Sequence, residues 1–168
     1  QNSLSDQYLN ALIDTDPSKF SIPEQGSIEE TDILYRLESL FSNYSEENLT
    51  KNINDVYADN FYFRDAFKFL DNKTDLLDYF VHGLEPLDSA EFSFNHVMRS
   101  KGEYFIEWTM YLKFKGEDET ISSIGLTRFR FNSEGKVIFH QDYWDPTTVV
   151  YSQIPIAKQL ITFVQKLL

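Results

Sequence analysis

TRFRFNSEGKVIFHQDYWD, residues 127 to 145, is two strands and the turn between them. Thr127, Phe129 and Phe131 alternate with Arg128 and Arg130, the period-2 pattern of a strand with one apolar and one solvated face. Asn132-Ser133-Glu134-Gly135 is a turn in which Gly135 is free to take a positive φ. A second strand runs from Lys136 to about Trp144 and stops before Pro146, which cannot donate to a ladder. Along it His140, Asp142 and Trp144 share one face, while Phe139, Gln141, Tyr143 and Asp145 share the other. A carboxylate among aromatic residues near the end of a long hairpin points to a pocket.

Upstream, the same alternation recurs. Glu91 to Met98 sets Phe92, Phe94, His96 and Met98 against Ser93, Asn95 and Val97. Ser100-Lys101-Gly102 turns into a strand from Tyr104 to Phe114, and Lys115-Gly116-Glu117-Asp118 turns into one from Ile121 to Phe131. Before this antiparallel meander the period changes to helical. Ser27 to Glu30 fits a capping box, followed by a stripe of Ile33, Leu34, Leu37, Leu40 and Phe41. A second helix starts after Ser45, with Leu49, Ile53, Val56 and Tyr57 apolar, and Asn60 to Asp65 is a short extended segment. A third helix follows Thr74 with Leu76, Leu77, Phe80, Val81 and Leu84. Residues 1–26 read as an N-terminal arm and linker: Leu4, Tyr8, Leu9, Leu12 and Ile13 have helical spacing, and Pro17, Pro23 and Gly26 follow. Residues 27–168 form the domain, ending in a helix after Pro155 with Leu160, Ile161, Val164 and Leu167. Helices followed by long antiparallel strands make an α+β pattern. A twisted sheet curled over helices leaves one open end suited to a small molecule.

The 168 residues are enough for one domain with a sizeable core. Fifteen Lys and Arg against 27 Asp and Glu give a net charge of −12, which disfavours nucleic acid and anionic membranes as partners. Cysteine is absent, which excludes disulfides and thiolate chemistry. No apolar run approaches membrane-spanning length. With no signal-peptide pattern, the expected location is cytoplasmic. A chain starting at Gln1 also fits a processed export product.

Val56-Tyr57-Ala58-Asp59-Asn60-Phe61-Tyr62-Phe63-Arg64-Asp65 resembles a segment of nuclear transport factor 2-like proteins, and Phe129 to Val137 resembles their penultimate hairpin. His140-Gln141-Asp142-Tyr143-Trp144-Asp145 is similar to the endings of limonene epoxide hydrolases and SnoaL-like polyketide cyclases. The resemblance covers about Ile28 to Leu168. It implies a conical α+β barrel, a pocket between helices and concave sheet, and a homodimer formed through the sheet. Asp65 falls where ketosteroid isomerases hold their general base, but Thr127 stands where their oxyanion Asp would be and their tyrosine falls near Leu37. Asp142 falls where limonene epoxide hydrolases hold the Asp that activates water, but Trp108 and Met110 replace its Arg and Asp partners. Both departures argue against those two reactions and leave the pocket in place.

Asp142 is the sharpest catalytic candidate. A carboxylate facing a dry aromatic cavity has its charged form disfavoured, which suits acid–base work near neutral pH. The bland alternative is a structural carboxylate bonded to a nearby donor. Asp65 is either a second pocket acid or a turn carboxylate satisfied by backbone N–H groups. His140 pairs with Asp142 as base and orienter, or joins His96 and Asp142 in a metal site, or is a half-buried imidazole bonded to a neighbour; no metal is assigned. His82 sits near a helix end and is expected to be exposed. Trp108, Met110, Thr127, Phe129, Trp144, His96 and Tyr57 are the expected ligand-binding set, although the aromatic members serve equally as plain core. Two functions follow. One is a pocket that binds or transforms a small, largely apolar molecule by acid–base chemistry that uses no cofactor. The other is a non-enzymatic dimeric interaction module. An open cavity with convergent polar groups favours the first, and a cavity filled by the chain's own rings favours the second.

Overall fold

The first four α-helices each begin where a short polar side chain takes a backbone N–H of the first turn. The structure, a computed structural model, describes residues 3–147, 149–151 and 155–167. Helix α1 spans Leu4–Asp14 under a full capping box, Ser3 with Asp6, which the sequence reading did not name. A 3-10 turn follows at Pro17–Lys19. Helix α2 is Ile28–Ser42, with the Ser27 hydroxyl accepting from Glu30 N at 3.2 Å. Glu30 does not complete the expected box. Its Oε2 instead accepts from Gly26 N at 2.7 Å and from Arg99 Nη1 at 3.0 Å, which ties the helix start to the sheet. Helix α3 is Glu46–Val56 under Ser45, and α4 is Lys73–Leu84 under Asn72. The apolar stripes are inside: Leu37, Leu40 and Phe41 of α2, Leu49, Ile53 and Val56 of α3, Leu76 and Phe80 of α4.

Six strands lie on these helices: β1 Tyr57–Arg64, β2 Phe69–Leu70, β3 Leu87–Ser100, β4 Glu103–Phe114, β5 Thr120–Phe131 and β6 Val137–Trp144. Their order is β2-β1-β6-β5-β4-β3. The expected meander of β3 to β6 is present and antiparallel. The sequence reading did not foresee that β1 joins it, parallel to β6. The sheet is therefore mixed, and it is not a closed barrel: β2 and β3 are its two edges. At the β5–β6 turn, Gly135 has φ 73°, and a Cβ there would meet Ile33 of α2 at 2.6 Å. Only glycine meets both demands.

The face of β5 read as solvated is covered. Arg128 Nη1 donates to Tyr8 Oη at 2.9 Å, and Arg130 Nη1 donates to Leu12 O at 2.8 Å. Glu103 Oε2 accepts from both arginines, at 2.8 and 2.6 Å. Tyr8 of α1 packs edge-on against Phe139, which is 0% exposed. Phe139 is thus closed off by the chain's own arm and is not an open dimer surface. Farther out, Met98, Tyr111 and Ile124 are exposed.

The last helix, α5, is Pro155–Leu167. Ile161 is half-buried, Phe163, Val164 and Leu167 are exposed, and the Leu160 side chain lies outside the described residues. Among the described residues no helix is long and apolar enough to cross a membrane.

Candidate functional site

Between α2, α4 and the inner sheet face lies a cavity of about 430 Å³. Strand alternation builds its floor. Trp108 and Met110 of β4, Thr127 and Phe129 of β5, and His140, Asp142 and Trp144 of β6 all reach it. Phe92 and Phe94 of β3 form one wall; Phe41, Tyr79 and Phe80 of the helices form the other. Phe67, from the β1–β2 loop, packs edge-on against Trp144 and Tyr151.

The polar groups form one connected chain across three strands. Trp108 Nε1 donates to Thr127 Oγ1 at 2.8 Å, and Thr127 Oγ1 donates to Asp142 Oδ1 at 2.5 Å. His140 Nε2 lies 2.7 Å from the same oxygen, and His140 Nδ1 lies 2.7 Å from Tyr57 Oη. Counting protons assigns the tautomer. Tyr57 is 0% exposed, and burial, with the Asp142 charge adding to it, pushes its phenol far above the ordinary value. The phenol is therefore protonated and needs an acceptor, which His140 Nδ1 supplies. The imidazole is then neutral, with Nε2–H donating to Asp142. Oδ1 of Asp142 accepts twice. Oδ2 has no protein partner among the described residues.

Asp65 also lines the cavity, yet its oxygens are engaged. Oδ1 accepts from Phe67 N and Lys68 N, both at 2.7 Å, and Oδ2 accepts from Tyr79 Oη at 2.6 Å. This is the turn carboxylate of the second sequence alternative, and it fixes the loop carrying Phe67. Burial, then the bond to Asp65, pushes the Tyr79 phenol far up.

Eight of the ten expected residues line this cavity: Asp142, Asp65, His140, Trp108, Met110, Thr127, Phe129 and Trp144. Tyr57 stands behind His140, off the wall. His96 is on the opposite face, with its side chain 73% exposed. A β-bulge explains it: Phe94 pairs with Trp108 but His96 pairs with Glu107, so one extra residue, Asn95, reverses the alternation. The His96, His140 and Asp142 metal site is thereby taken apart. Among the described residues no group of three or more His, Cys, Asp or Glu is placed to hold a metal ion. His82 is exposed beside Glu85.

Sequence reasoning missed two phenols. Tyr79 sits at i+3 from Leu76 and one position before Phe80, so its place on the inner stripe was readable. Tyr44 lies in the short link after α2, where no periodicity applies. It lines the cavity, and its hydroxyl makes no hydrogen bond among the described residues. Burial, with Tyr79, Asp142 and Asp65 adding to it, pushes this phenol well above the ordinary value. Its hydroxyl and Asp142 Oδ2 are thus two polar atoms of one cavity without a protein hydrogen bond among the described residues.

No protein-family model matches the chain, and no curated protein matches it. Solved structures do. A candidate SnoaL-like polyketide cyclase from Jannaschia superposes with a TM-score of 0.63 at 10% identity, covering 77% of this chain and 94% of that one. A protein of ketosteroid isomerase-like fold from Catenulispora acidiphila, in complex with trimethylamine, gives 0.60 at 13%, covering 71% and 89%. An LEH-like epoxide hydrolase from M. tuberculosis gives 0.55 at 12%, covering 68% and 84%. At these identities the likeness is one of fold: the chain has the nuclear transport factor 2-like α+β fold.

Proposed function

We propose that this nuclear transport factor 2-like chain binds a small, largely apolar molecule in its cavity and that Asp142 exchanges a proton with it. The observation that carries the proposal is the single unpartnered oxygen of Asp142, held in an apolar cavity by Thr127 and His140. In this scheme Oδ2 takes a proton from the carbon next to a ligand carbonyl. The electron pair moves to the carbonyl oxygen, which accepts a hydrogen bond from Tyr44. Return of that proton from Asp142 to the far carbon of the conjugated enolate completes an isomerisation, with no atom gained or lost. Trp108 and Tyr57 are positioning residues, one for Thr127 and the other for His140. The cavity stays open despite the many rings around it, which supports a ligand over a purely structural core. The trimethylamine held by the Catenulispora protein is consistent with small-molecule binding in this fold.

Assembly belongs to the same proposal. A second copy covers the outer face at Met98, Tyr111 and Ile124, beyond the part occupied by α1.

The binding half is tested by titrating 2-cyclohexen-1-one against the emission of Trp108 and Trp144, which both line the cavity. Saturable quenching is expected. Quenching that rises linearly, as for simple collision, contradicts a binding cavity.

A further inference from the structure

We propose that the cavity's natural ligand is a hydrophobic organic cation, an amine or quaternary ammonium on an apolar body. The inference rests on the binding proposed above and adds the ligand's charge. It starts from what lines the cavity. Two carboxylates, Asp65 and Asp142, are on the wall, and none of the described lining residues is Lys or Arg. Neither carboxylate has a cationic partner. Asp65 is held by two backbone N–H groups and the Tyr79 phenol. Asp142 is held by a hydroxyl and by an imidazole that the Tyr57 bond keeps neutral. Such donors orient a carboxylate and spread its charge without cancelling it. Two negative charges behind low-dielectric aromatic walls focus a negative potential into the cavity. Both carboxylates are half-buried; a charge partly withdrawn from water without a counter-charge is costly, and a cationic ligand supplies the missing one.

The walls favour the same class. Trp108 and Trp144 lie side by side with ring centroids 6.4 Å apart, and Phe92 packs against Trp108 at 5.3 Å. Aromatic faces attract cations, quaternary ammonium groups among them, most strongly where water is excluded. An anionic ligand would meet two carboxylates and no Lys or Arg among the described lining residues. The Tyr44 phenol is pushed up in the same sense, by burial first, then by Tyr79, Asp142 and Asp65. The whole chain, at −12, draws cations as well.

The test uses the emission of Trp108 and Trp144 and three probes: phenyltrimethylammonium, its neutral isostere tert-butylbenzene, and benzoate. The native protein is expected to bind the cation about tenfold or more tightly than the isostere, and benzoate least. Asp142→Asn should remove most of that preference by weakening binding of the cation relative to tert-butylbenzene. If that variant does not fold, the native series decides alone. Equal or tighter binding of tert-butylbenzene, or tightest binding of benzoate, overturns the cation while leaving a binding cavity. Saturable binding of none of the three removes the cavity proposal and this one with it.

Discussion

Trp108 occupies the space that a side chain on its cross-strand partner Gly125 would need: a Cβ on Gly125 would meet the indole at 2.3 Å. The same indole donates to Thr127, which donates to Asp142. A glycine, with no side chain of its own, thus makes room for the indole that leads to the candidate carboxylate.

Gly125→Ala is the first test of that chain. The ring must move, and overpacking costs about 1–3 kcal/mol. For a chain of this size that lowers the melting temperature by roughly 2–4 °C per kcal/mol. Calorimetry should show the drop, and the tryptophan emission should shift. An unchanged melting temperature would mean that the indole position is not set by Gly125.

Tyr57→Phe removes the donor to His140 Nδ1 inside the core. An acceptor left unpaired and buried costs about 1–3 kcal/mol. Urea unfolding should report that loss, and the freed imidazole should change its NMR ring-nitrogen signals. A variant as stable as the native chain, with unaltered His140 signals, would refute the assigned tautomer.

The account of His96 is testable by its silence. His96→Ala should leave cyclohexenone binding unchanged, because the bulge at Asn95 sends the imidazole to the outer face. Weaker binding in this variant would restore the period-2 expectation for β3.

Glu103 governs the acid limb. Burial alone would raise its carboxyl, but the hydrogen bonds and charges of Arg128 and Arg130 outweigh burial and hold it below its ordinary value of 4.5. A folded value below the unfolded one stabilises fully above pH about 4.5, and that share is lost as pH falls through the folded value. Stability against pH should therefore fall below pH about 4.5, with a shallower limb in Glu103→Gln. Since Arg130 also holds Leu12 O, proteolysis near α1 should increase over the same range. A limb of identical slope in the variant would show that this ion cluster adds nothing.

What could be read beforehand follows from how local the signal is. The hairpin of residues 127–145 was legible because its pairing, turn and alternation all lie within a few residues. Asp142, His140 and Trp144 came out on one inward face for that reason. His96 did not, because a single bulge residue leaves no mark on the polarity pattern. The parallel pairing of β1 with β6 joins residues about 80 apart, such as Phe63 and His140, and no local rule encodes it. Arg128 and Arg130 read as a solvated face because their cover, α1, lies more than 100 residues earlier. Tyr44 was invisible because its position depends on how α2 meets α3.

The central claim is that Asp142 acts on a ligand and is not merely a strut. The most direct measurement is the rate at which carbon-bound protons of 2-cyclohexen-1-one exchange in D2O, with native protein and with Asp142→Asn. Asn keeps an oxygen for Thr127 and His140, so the variant's melting temperature should stay within about 3 °C of native. The account predicts that native protein speeds exchange and that the variant loses about a hundredfold or more of that acceleration. Equal exchange in the two proteins, or a variant that simply unfolds, would mark Asp142 as structural and contradict the account.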